Sequence, residues 1–144
     1  MISLSYLFER EDKPMEIGVI GYSGQKFDET LAKKLIRLGL EKAGAKSGDY
    51  LVSGLTNLGI PKLAYEIAVS LGMRTVGIAC ELAYEDELFP VDIKIIKGNK
   101  WGDESETFLD YIDVLIKVGG GKQSESEYAK FKGPKFKFEL PAIK

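Results

Sequence analysis

No histidine occurs anywhere in the 144 residues of this chain. The side chain that most often moves protons near neutral pH, and most often ligates metals, is therefore missing. Acid–base chemistry would fall to carboxylates, Lys, Tyr or Cys. A catalytic zinc site would have only carboxylates and one thiol to draw on, so no metal site is expected. Cys80 stands alone. It cannot form an internal bridge, which suits a reducing compartment. A charge excess is lacking as well: 20 basic residues face 22 acidic ones, for a net charge of -2. That balance argues against duplex nucleic acid as a partner. The basic residues of the tail, Lys130, Lys132, Lys135 and Lys137, read as a solvated edge. No apolar run is long enough to span a membrane. The opening MISLSYLF has neither a basic flank nor a small-residue cleavage site, so a cytoplasmic protein is expected.

What is present is an alternation of strand-like and helix-like segments. Short apolar runs at 17–20, 50–52, 75–79, 114–116 and 136–140 predict strands, and the alternation at 93–95 predicts a peripheral one. Between the first two runs, Leu31, Leu35 and Leu38 recur at helical spacing. Asp28 fits as the N-cap of that helix and Gly44 as its stop. A second helix carries Ile60, Ala64, Ile67, Ala68 and Leu71, with Pro61 in its first turn. Asp103 and Glu106 have the spacing of a capping box ahead of Phe108, Leu109 and Ile112. A last short helix is expected over 124–131. This alternation implies an α/β fold: a three-layer, Rossmann-like open parallel sheet with helices on both faces. The charged run 9–13 before Pro14 marks residues 1–14 as an appendage or tail, leaving 15–144 as the domain.

Three strand ends share a chemistry. Gly21, Tyr22, Ser23 and Gly24 follow the first strand, and Ser53 and Gly54 follow the second. Gly119, Gly120, Gly121, Lys122, Gln123 and Ser124 follow the strand near 116. Glycine lets backbone N–H groups approach an anion, and the next helix aims its positive end at the same point. In an open parallel sheet these turns lie along one edge. They predict a site for a nucleotide or another phosphorylated small molecule. Neither the P-loop spacing nor the dinucleotide Gly-x-Gly-x-x-Gly is present. Tyr22 and Trp101 are candidates for stacking on a ligand ring. Cys80 reads as a buried small residue, because no histidine can activate it. An aspartate placed at Gly120 is expected to abolish binding with the fold intact.

The stretch 119–127, GGGKQSESE, resembles the Pro-Gly-Gly-x-Gly-Thr-x-x-Glu motif of the "lonely guy" (LOG) phosphoribohydrolases. Residues 51–55, LVSGL, are similar to the second-strand turn of the Smf/DprA branch of the same SLOG superfamily. The resemblance runs from about Met15 to Leu140. It implies that Gly120 and Gly121 match the paired glycines, that Ser124 replaces threonine, and that Glu127 matches the catalytic glutamate. Gly119 stands in place of proline and Gln123 in place of glycine. The hydrolases also carry an arginine about nine residues before the aspartate that leads into the motif strand. Counting back from Asp113 reaches Glu104, and Arg10, Arg37 and Arg74 all lie elsewhere. The expectation is therefore a nucleotide-binding sensor, carrier or sequestering protein. The alternative is a nucleoside 5′-monophosphate phosphoribohydrolase using Glu127. The family implies a homodimer or higher homo-oligomer.

Overall fold

The structure, a computed structural model, describes residues 13–144. Most of the segment read as an appendage thus lies outside the described residues. Six strands alternate with helices: β1 (Glu16–Gly21), α1 (Glu29–Ala43), β2 (Tyr50–Ser53), α2 (Gly59–Ser70), β3 (Arg74–Ala79), β4 (Ile93–Ile96), α3 (Ser105–Tyr111), β5 (Val114–Val118), α4 (Lys122–Lys130) and β6 (Lys135–Phe138). A short 3-10 helix, Glu81–Glu85, follows β3. All strand pairs are parallel, in the order β4-β3-β2-β1-β5-β6. The sheet is the predicted Rossmann-like one, with helices on both faces.

Side chains alternate across each strand, so two cores form. Ile17 and Val19 of β1 and Ile116 of β5 point to one face, where Ile36 of α1 and Ile60 and Ala64 of α2 cover them. Val52, Val76, Ile78 and Leu115 point to the other, where they meet Phe108 and Ile112. Each residue of β5 is buried, as expected of a strand covered on both sides.

Three local readings are corrected. The buried stripe of α1 is Ala32, Ile36, Gly39 and Leu40, whereas Leu31 and Leu38 are exposed. Leu71 is also exposed and caps α2 instead of packing. Asp103 does not cap α3. Its carboxylate accepts from the N–H groups of Asn99 and Lys100, both at 3.0 Å, and so closes the preceding loop. The caps of α1 are as expected. The Asp28 carboxylate accepts from the Leu31 N–H at 3.0 Å, and Gly44 ends the helix with a left-handed backbone.

Candidate functional site

The chain winds outward from β1 through β2 and β3 to β4, then crosses back to lay β5 on the other side of β1. A groove opens where strand order reverses in this way. The turns after β1, β2 and β5 meet there around a cleft of about 480 Å³. Residues 21–25, 53–56 and 121–124 form its polar walls. Ile20, Ile78, Phe108 and Trp101 add apolar lining, and Glu104 and Glu127 line the cleft as well.

The turns are held together by backbone. The Ile60 N–H donates to the Tyr22 carbonyl at 2.7 Å, tying the β1 turn to the first turn of α2. A Cβ on Gly59 would lie 2.3 Å from that carbonyl, so glycine is required for the approach. Gly120 has φ +107, and a Cβ there would lie 2.6 Å from Ser124 Cβ. Both facts demand glycine, so an aspartate at Gly120 strains the fold itself. That corrects the expectation that the fold would survive it. Gly121 has open space around it and an ordinary extended backbone.

Gly121 is also the N-cap of α4, and it has no side chain to satisfy the first N–H groups of the helix. Those donors sit at the cleft wall. Lys122 opens the helix, exposed, and is the one cation among the lining residues. A cation at a helix N-terminus opposes the dipole, so local stability does not account for its position. Behind it, the buried ammonium of Lys117 pairs with Glu125 at 2.8 Å and fastens the first turn of α4 to the end of β5. That lysine holds the Glu125 carboxyl below its ordinary value.

The structure brings Gly21, Tyr22, Ser23, Gly24, Ser53, Gly54, Gly121, Lys122, Gln123, Ser124 and Glu127 to one cleft. Gly119 and Gly120, with φ +62 and +107, shape the turn but are not among the residues that line the cleft. Ser53 donates its hydroxyl proton to the Val19 carbonyl at 2.6 Å, so it faces a ligand only as an acceptor. Tyr22 stacks on Phe27 with 6.2 Å between ring centres. Glu127 lies in the second turn of α4, because the helix begins at Lys122, two residues before the expected start.

The residue that sequence reasoning missed is Glu104. Like Glu127 it is only 6% exposed. The Gln123 side-chain amide bridges the two, with Nε2 3.2 Å from Glu104 Oε2 and 3.3 Å from Glu127 Oε2. The Ser105 hydroxyl donates to Glu127 Oε2 at 2.7 Å, and the Gly102 N–H donates to Glu104 Oε1 at 2.8 Å. Burial raises the Glu127 carboxyl above its ordinary value, and the nearby Glu104 charge adds to the effect. The bonds from Ser105 and Gln123 oppose it. Cys80 is fully buried, and burial raises its thiol as well. Among the described residues no group of His, Cys, Asp and Glu is arranged to hold a metal ion.

The model of the SLOG cluster4 family matches residues 14–131. The chain belongs to that family. This SLOG protein is similar in structure to the molybdenum cofactor carrier protein of Chlamydomonas reinhardtii, at 26% identity and a TM-score of 0.67. The match covers 87% of this chain and 76% of that one. It is similar also to the molybdenum cofactor binding protein of the phototrophic bacterium Rippkaea orientalis, at 26% identity and a TM-score of 0.63. There the match covers 82% of this chain and 70% of the other. Comparison with curated proteins gives no match. No helix among the described residues of the SLOG chain is long and apolar enough to cross a membrane.

Proposed function

We propose that this SLOG protein is a binding module, in the role of carrier, sensor or sequestering protein, for a nucleotide or a related phosphorylated ligand. The observation that carries the reading is the convergence of three strand-end turns and the uncapped start of α4 on one cleft at the strand-order switch. The phosphate would lie against the N–H groups of 121–124, with Lys122 supplying the opposite charge. A flat group would lie toward Trp101 and Phe108. Likeness to two proteins named for carrying or binding the molybdenum cofactor supports the carrier role.

Hydrolysis is the weaker reading, for one reason. Where the hydrolases place an arginine to stabilise developing charge, this chain places Glu104 beside Glu127. A second carboxylate at that point leaves no fixed cation for a phosphate-linked transition state, and such groups are worth about 3 kcal/mol in barrier. No base release from nucleoside monophosphates is expected.

Native mass spectrometry of protein purified without added ligand tests the proposal. A co-purified mononucleotide or molybdenum cofactor would support it and name the cargo. Thermal-shift titration with Gly121→Asp locates the site: the variant should fold and lose the ligand response that wild type shows. An equal response in both would move the phosphate elsewhere.

A further inference from the structure

The acidic end of the cleft has a donor deficit that points to what the ligand must bring. Glu104 and Glu127 are each 6% exposed, and both line the cleft. Ionised carboxylates only accept hydrogen bonds, with about four acceptor positions each. The protein donors that bond to these two carboxylates are the Gly102 N–H, the Ser105 O–H and the Gln123 amide. All three are engaged, and Glu127 Oε1 receives none of them. Nor does that atom belong to the buried side-chain atoms left unpaired; among the described residues Asn57 Oδ1 is the one such atom. Glu127 Oε1 is therefore not sealed off, and it belongs to a residue that lines the cleft. No lysine or arginine pairs with either carboxylate among the described residues. Two buried acceptor groups with few donors call for a ligand group rich in N–H or O–H.

The neighbours of these carboxylates select among such groups. Trp101 precedes Glu104 by three residues and Phe108 follows it by four, and both line the cleft with it. Acceptors beside aromatic walls suit the edge of a flat ring better than a sugar. We infer that Glu104 and Glu127 form the recognition edge of the cleft and select a heterocycle presenting adjacent amino and ring N–H donors, the donor–donor edge that guanine has and adenine lacks. The inference rests on the cleft holding a phosphorylated ligand, as proposed above.

Isothermal titration of the wild-type chain with GMP, IMP and AMP at one salt concentration tests it. IMP keeps the ring N–H but lacks the amino group. AMP presents an acceptor where GMP has the ring donor. GMP is expected to bind at least about ten-fold tighter than IMP, and AMP to bind weakest, because a site built to accept a donor rejects an analogue lacking it. Glu127→Gln should shrink the GMP-to-IMP ratio toward unity. Glu104→Gln, which alters no buried volume, provides the same readout if the first variant is poorly folded. Equal affinities for all three nucleotides in wild type would overturn the inference and leave the binding proposal standing. Absence of binding to all three would also overturn the inference, and the native mass spectrum then decides the binding proposal separately.

Discussion

Glu127 is a residue whose charge works against the fold. Its folded-state carboxyl lies above the ordinary value, chiefly through burial. The folded chain thus binds more protons than the unfolded chain across that window, and stability falls as pH rises through it. At neutral pH the full penalty is present. Glu127→Gln, of the same size and still able to accept from Ser105, should therefore melt a few degrees higher than wild type at pH 7. The gap should close as pH falls below the carboxylate range. Calorimetry across pH checks the sign, and a variant less stable at pH 7 would mean that the charge-assisted bonds outweigh burial. Cys80 gives a second test at this scale. Being fully buried with a raised thiol, it should resist alkylation by iodoacetamide in native protein and react only under denaturant. Its burial was legible in the sequence, since a small residue ending an apolar strand has nowhere else to go. Glu104 was not legible. Its neighbours Gln123 and Glu127 come from α4, and nothing in the local pattern around 104 announces them.

At the scale of the element, α1 shows how periodicity fixes a helix without fixing its buried side. Leu31, Leu35 and Leu38 and the set Ala32, Ile36, Gly39 and Leu40 both recur at helical spacing. Only the demands of β5 decide between them. A Cβ on Gly39 would lie 2.6 Å from Ile116 Cγ2, so the helix comes down on the sheet at its smallest residue. In an open helix Gly→Ala gains up to about 1 kcal/mol. Here the contact should reverse that sign, and Gly39→Ala should lower the urea midpoint. On the same helix Ile36→Ala should cost about 2–5 kcal/mol, and Leu38→Ser under about 0.5 kcal/mol. Equal losses at 36 and 38 would contradict the orientation of α1. The capping-box reading of 103–106 failed for a related reason. The Asp103 carboxylate has two loop N–H groups within 3.0 Å, and a helix start one residue later leaves it no helical partner.

The whole molecule was the most legible level. Alternating strand and helix signals along the entire chain admit few topologies, and short right-handed crossovers leave the parallel sheet seen here. Glycine-rich strand ends then had to gather at one edge, which is why most of the expected site residues line a single cleft. Balanced charge carries to this scale too. No duplex DNA shift at nanomolar protein is expected at physiological salt, and a sequence-specific complex would refute the small-ligand reading. The stitching of the turns has a kinetic consequence. Tyr22 is bonded through its carbonyl to the start of α2. Gly120 sits with its Cβ position 3.4 Å from Gly21 Cα, so the third turn leans on the first. Among the described residues the mouth of the cleft is held by backbone contacts that need no ligand. In stopped-flow mixing the observed rate should therefore rise in proportion to ligand concentration without levelling off, as encounter rather than rearrangement sets the pace.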